Sequence, residues 1–229
     1  MGVARAELES LLRARKLDVT LTTAAPWHTK DDDRVASSGW EALDVSLGGG
    51  LRRGQVSEVV GARSSGRMAV VCSMAAAATA RGEVVALVDT HDRFDPASAE
   101  AAGVDLGRLL WIRDTGNAER ALKAMNLVLQ AGGFGIVAFD LAEVGGIALR
   151  QFPHTTWMRL SRVIEGSPTI ALLIGAEHIA RSPGGVTIAL EPPVAGPAGQ
   201  WSGTTVRARR LCGLTIRPRV ISARSAGGW

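Results

Sequence analysis

The clearest chemical signal in the chain is the run Gly61-Ala-Arg-Ser64-Ser65-Gly66-Arg67-Met68. Two glycines separated by four residues, placed between an apolar run and an Ala-rich one, have the spacing of a loop whose backbone N–H groups wrap phosphate oxygens. In such a loop a lysine follows the second glycine, and a Ser or Thr follows the lysine to hold magnesium. Here Arg67 and Met68 occupy those two positions. Arginine keeps the positive charge on a bulkier, planar group. The thioether of Met68 cannot replace the hard oxygen ligand that magnesium prefers. A second candidate is Asp140, which ends the apolar run FGIVAFD (134–140) where a carboxylate would hold a metal-bound water. A cap or turn role suits an Asp at a strand end just as well.

These residues need a frame, and the pattern around them supplies one. QVSEVVG (55–61) reads as a buried strand leading into the loop, and a long Ala-rich helix runs from the loop to about Arg81. EVVALVD (83–89), RLLWIRD (108–114), FGIVAFD and PTIALLIGAE (168–177) read as further strands. Helices are expected at 95–103, 117–132 and 155–166 between them. Near-continuous apolar strands separated by helices predict an α/β fold, with a mostly parallel sheet covered on both faces. After Pro183, GVTIALE, TTVRARR and LTIRPRVI predict antiparallel C-terminal strands. Ser38 is the expected cap of a short helix, GWEALDVSL, that stops at the glycines 48–50. Residues 1–36 read as an N-terminal helix (3–16, with Leu8, Leu11 and Leu12 on one side) and a linker, 37–222 as the core domain, and 223–229 as a tail.

Length and composition narrow the class. A chain of 229 residues suits one α/β domain with short extensions, large enough to need no disulfide or metal staple. No apolar run approaches the ~20 residues of a membrane helix, and the charged N-terminus lacks a signal-peptide pattern. The expectation is a cytoplasmic protein with no membrane partner. The two cysteines, Cys72 and Cys212, have no metal-type spacing and read as buried or half-buried packing residues. His28, His154 and His178 likewise show no ligand spacing. Net charge is +4, and only three of the 26 basic residues are lysines (Lys16, Lys30 and Lys123). Arginine abundance alone is therefore weak evidence for nucleic-acid binding. Its distribution says more. Arg207, Arg209, Arg210, Arg217, Arg219 and Arg224 crowd the C-terminus, where alternation in TTVRARR sets Arg207 and Arg209 on one face. Such a stripe suits DNA phosphates or an acidic protein patch, or a solvated edge strand guarded by charge. Trp229 at the end of the tail is a candidate docking anchor.

From Ser38 to about Glu191 the sequence resembles the RecA core. The matching stretches are SGWEALDVSLGGGLRRGQVSEVVG, GARSSGRM and VALVDTHDRFDPASAEAAGVDLGRLLWIRD. In RecA proteins the last of these begins with an Asp and, two residues later, the Glu that activates water for ATP hydrolysis. Here Asp89 is kept, His91 stands at the Glu position, and the DP pair is Asp95-Pro96. Ala176 or Glu177 falls where RecA has a nucleotide-sensing Gln, and the segments matching its DNA-binding loops, 141–154 and 178–185, are short.

A RecA scaffold without phosphate lysine, metal hydroxyl and catalytic carboxylate resembles the ImuA family, RecA-like proteins of the SOS mutagenesis cassette. That resemblance implies a non-catalytic accessory protein in translesion DNA synthesis that needs neither ATP nor metal. Its implied partners are an ImuB-like homologue of Y-family polymerases, RecA itself through residues 3–16, and indirectly an error-prone replicative-type polymerase. Single-stranded DNA is a weaker expectation, through the C-terminal arginines. The competing expectation is a RecA-family ATP-dependent DNA-binding and recombination ATPase using a divergent site built from Arg67, Asp89 and Asp140.

Overall fold

The structure, a computed structural model, describes residues 34–180, 185–191, 199–202, 210–214 and 216–222, with backbone alone at 199–202, 210–214 and 222. Two short strands, β1 (Val35–Ala36) and β2 (Leu51–Arg52), pair antiparallel around the first helix, α1 (Glu41–Leu47). Ser38 does not cap α1. The N-cap is Trp40, and Ser38 is drawn in from outside because Asp44 accepts its N–H at 2.8 Å.

The chain then alternates β3 (Val56–Gly61), α2 (Arg67–Ala80), β4 (Val85–Asp89), α3 (Pro96–Ala101), β5 (Leu109–Arg113), α4 (Ala118–Ala131) and β6 (Ile136–Asp140). It continues through α5 (Gly146–Arg150), α6 (His154–Ile164), β7 (Ile170–Gly175), β8 (Thr187–Glu191), β9 (Gly199–Ser202), β10 (Arg210–Leu214) and β11 (Arg217–Ser222). The segment 141–154, expected as a shortened loop, contains the helical turn α5.

Seven strands form one sheet in the order β11-β8-β3-β7-β6-β4-β5, parallel throughout except for β11. The α/β class, the mostly parallel sheet and the antiparallel C-terminal end are as the sequence predicts. The ending differs in detail. β8 runs parallel to β3, and only β11 reverses, while β9 and β10 pair as a separate antiparallel ribbon. β9 lies in part where a Pro/Gly loop is expected, and 203–209, most of the expected TTVRARR strand, falls outside the described residues.

Burial explains the layering. Alternate strand residues feed two clusters. One contains Val59, Leu87, Ala138 and Leu172 with Leu43 of α1, Met74 of α2 and Ala99 of α3. The other contains Val88, Phe139, Ala171 and Leu173 with Met125 of α4 and Trp157 of α6. Both faces are therefore covered, which is why the strands lack a polar side.

The described residues of the return from β7 to β8 pack on this second face, where Ile179 and Ala180 join its cluster. Residues 176–180 are fastened by Glu58, fully buried on β3, whose carboxyl accepts the N–H groups of Ile179 and Ala180 and lies 3.3 Å from His178 Nδ1 and 3.4 Å from Thr187 Oγ1. At the opposite ends of the strands, buried Glu83 holds Arg53 at 2.8 Å and Arg81 at 2.7 Å. This second clasp ties the starts of β3 and β4 together, leaving the C-terminal strand ends free to carry loops.

Candidate phosphate-loop site

The loop from Gly61 leaves β3 and enters α2. Gly66, with φ of 92°, is the left-handed N-cap of that helix, a backbone region that favours glycine. Ser64 is also left-handed, at φ 61°, which is unusual for a residue with a side chain. A Cβ at Gly61 would press on Ser65 Oγ and the Leu190 backbone, so the first glycine is needed for close packing. The loop shape is therefore kept.

Its side chains bond within the loop and pack against the core cluster. Arg67 Nη1 donates to the Gly61 carbonyl at 2.9 Å, so the guanidinium bridges the last residue of the loop to the first. Met68 is partly buried and packs against the α2 cluster. Ser65 Oγ is buried with no hydrogen-bond partner among the described residues.

The strand ends bring two carboxyls beside the loop. Asp89 and Asp140 are direct neighbours across β4 and β6. Asp89 is buried and accepts from Phe94 N at 2.8 Å, Trp111 Nε1 at 3.2 Å and His91 N at 3.3 Å. Those bonds shape the turn after β4. Asp140 accepts from Ala142 N at 2.9 Å. Burial raises the pKa of Asp140 above the ordinary carboxylate range, reinforced by the charges of Asp89 and Glu143 and opposed by Arg67 and the Ala142 N–H.

A raised acid pKa means that the folded chain binds this proton more tightly than the unfolded chain does. Stability from this group is then fully present below the unfolded pKa and is lost as pH rises through the folded value. Asp140→Asn is thus expected to raise the melting temperature at pH 7.5, with the gain shrinking as pH falls to the ordinary carboxylate range. Paired melting curves across that range check it, and an unchanged or lowered melting temperature at pH 7.5 would refute it.

His91 is not drawn into this group. It lines a cleft of about 460 Å³ with the first turn of α4 (Asn117, Glu119) and with Val144, Ala148 and Phe152. Asp95-Pro96 has a local role: Asp95 caps α3 by accepting from Ser98 N at 3.1 Å, with Pro96 in the first turn. Glu177 is exposed beside Ala176 at the end of β7. His154 opens α6, and Cys72 is buried in α2 with its thiol pushed up to about 11.

Arg217 and Arg219 are exposed on β11, and Arg219 pairs with Glu191 at 2.7 Å, so part of the expected basic stripe is neutralised within the sheet. Arg210 begins β10, where only the backbone is described, as it is for Cys212. Leu8, Leu11, Leu12, His28, Arg207, Arg209, Arg224 and Trp229 lie outside the described residues. Among the described residues there is no cluster of three metal-ligating side chains and no helix long and apolar enough to cross a membrane.

Sequence reasoning missed the Arg67–Gly61 bridge and the pairing of Asp89 with Asp140. Strand order decides the second, and no local pattern in the sequence signals it.

Comparison with known proteins places this geometry. The model of the RecA N-terminal domain matches residues 25–147. Protein RecA of Chlorobaculum tepidum is 38% identical over 108 residues, covering 47% of this chain and 31% of that protein. Protein RecA of Symbiobacterium thermophilum is 41% identical over 108 residues (46% and 30%), and that of Deinococcus radiodurans 34% over 113 residues (49% and 31%). The matched part thus spans about 30% of each relative's length. With more than half of its residues matched, and the loop and strand ends arranged as above, this chain belongs to the RecA N-terminal domain family.

Proposed function

We propose that this protein is a non-catalytic RecA-like accessory factor in SOS mutagenesis and translesion DNA synthesis, of the ImuA kind, and that it works by binding other proteins. The observation that carries this reading is the loop's use of its own side chains. Arg67 bonds to the Gly61 carbonyl, and Met68 packs against the core cluster at the position where a metal hydroxyl would stand.

A magnesium nucleotide does not fit this donor set. The thioether is no ligand for the ion, and a phosphate drawing on Arg67 would have to break its bond to Gly61. Each charge-assisted hydrogen bond broken in this way is worth ~1.5–3 kcal/mol. The partners are an ImuB-like homologue of Y-family polymerases and RecA itself, with an error-prone replicative-type polymerase reached through the first.

The edges of the sheet support a partner-binding role. β11 is guarded by Pro218 and two exposed arginines, the usual protection of an edge strand. β5, at the other edge, has Leu109 and Trp111 half-buried on one face of the sheet and Leu110 and Ile112 half-buried on the other. Among the described residues no strand pairs its outer side. An extended segment adding there would gain main-chain hydrogen bonds and apolar contacts on both faces of the sheet.

The experiment has two arms. Titration with fluorescent magnesium–ATP is expected to show no saturable binding, with phosphate release at background whether or not single-stranded DNA is added. Pull-downs with the polymerase homologue and with RecA are expected to be positive and to weaken without residues 1–20. No association with either partner removes the reading.

A second reading, an ATPase with a divergent site, draws on the preserved loop backbone and the side-by-side Asp89 and Asp140. Steady phosphate release that disappears in Asp140→Ala would establish it in place of the first.

A further inference from the structure

Several arginines on the surface of the core have carboxylate partners: Arg108, Arg113, Arg120 and Arg219 each have one within 2.6–3.4 Å. Helix α6 departs from this. Its buried residues Trp157, Leu160 and Ile164 turn Thr155, Met158, Arg159 and Arg162 toward solvent, the i, i+3, i+4, i+7 stripe of the opposite face. Arg159 and Arg162 make no ion pair with any described residue.

Helical spacing offers Arg159 no carboxylate, since Thr155, Thr156, Arg162 and Val163 are its neighbours. The two like charges one turn apart weakly oppose the helix that carries them. Met158, 40% exposed, lies next to Arg159 and one turn before Arg162. The neighbouring α4 adds the exposed Lys123.

We propose that the outer face of α6, Met158 flanked by Arg159 and Arg162, is a docking surface for an acidic amphipathic segment of a partner protein. The proposal rests on the reading that this chain works through partners, and it names the chemistry of one of them. An apolar residue of the partner covers Met158 while flanking Asp or Glu residues meet the two guanidiniums. Arg and Met are the residue types enriched in protein interfaces, where Lys is depleted, and planar guanidiniums match carboxylates in bidentate geometry. Single-stranded nucleic acid is the poorer fit. The helix's one aromatic residue, Trp157, is buried, so α6 offers no platform for stacked bases.

The test uses the full chain and a labelled, designed helical peptide with leucines at three- and four-residue spacing flanked by glutamates. Fluorescence anisotropy at low salt is expected to show saturable binding. The pair Arg159→Glu and Arg162→Glu is expected to weaken it on the order of tenfold or more, and Met158→Ser to weaken it by a smaller factor. These side chains are exposed, so an unchanged urea midpoint is expected and shows that the fold is intact. A control peptide with lysine in place of glutamate is expected not to bind.

Equal affinity in wild type and the double variant overturns the proposal. So does a labelled DNA duplex whose binding depends on Arg159 and Arg162 while the glutamate peptide fails to bind. Failed pull-downs with the polymerase homologue and RecA would remove the wider adaptor reading and leave the peptide result standing. A glutamate peptide that binds without regard to α6 removes this face alone.

Discussion

Replacing Glu83 with alanine is expected to lower the unfolding free energy by about 3–5 kcal/mol. The carboxyl is 1% exposed and holds Arg53, itself 4% exposed, with Arg81 bonded to the same oxygen, Oε1. Removing it takes the carboxylate at 2.8 Å from a buried guanidinium, although Arg53 Nη1 still donates to the Pro168 carbonyl at 2.9 Å. Gly135 lies so close that any side chain there would overlap the Glu83 carboxyl, so the space is also tightly filled. A loss of this size is a large share of the 5–15 kcal/mol that typically separates folded from unfolded chains.

Urea unfolding measures it directly, and a loss under about 1 kcal/mol would show the clasp to be unimportant. A control isolates the cause. Arg53→Met with Glu83→Leu removes both buried charges and is expected to recover much of the loss. Because the clasp sits at the N-terminal ends of the strands, partner binding well below the melting temperature should be unchanged in both variants.

The second large effect is expected at Glu58. Glu58→Ala deprives the N–H groups of Ile179 and Ala180 of their acceptor and leaves a cavity in the middle of β3. Each orphaned buried donor costs ~1–3 kcal/mol, and the cavity adds to that. A total of roughly 3–5 kcal/mol follows. Residues 176–180 belong to no helix or strand, so their amides should lose hydrogen-exchange protection before the rest of the sheet. Exchange rates at 176–180 read this locally and urea midpoints read it globally. If those amides keep wild-type protection in the variant, Glu58 is not the fastener. Glu58→Gln, which keeps one acceptor oxygen, should fall between the two.

Both clasps bear on function because they hold the frame while the site stays strained. A fold that buries carboxyls with partners at Glu58 and Glu83 also keeps Asp140 close to Asp89 and a left-handed Ser64 in the loop. Burial disfavours the charge on Asp140, and one helical cation, Arg67, opposes that. Arrangements of this kind cluster at functional sites.

Amino-acid order by itself determined the strands, the helices on both faces and the phosphate-loop frame. Those features are local. Apolar runs of five to seven residues bounded by Gly, Asp or Asn specify strands wherever they end up, and Gly66 needs only its own backbone freedom to start α2. Arg67 and Met68 at the two chemical positions of the loop were equally legible, since identity at a fixed spacing needs no coordinates. Tertiary structure alone decided which strands are neighbours. That choice put Asp89 beside Asp140, turned His91 toward the α4–α5 cleft and made β8 parallel to β3. It also set Glu58 and Glu83 as buried clasps, where the sequence shows two glutamates in apolar stretches, with Arg53 30 residues from Glu83 and Ile179 more than 100 from Glu58. Hydrogen bonds across such separations are chosen by packing of the whole sheet, and no local pattern records them.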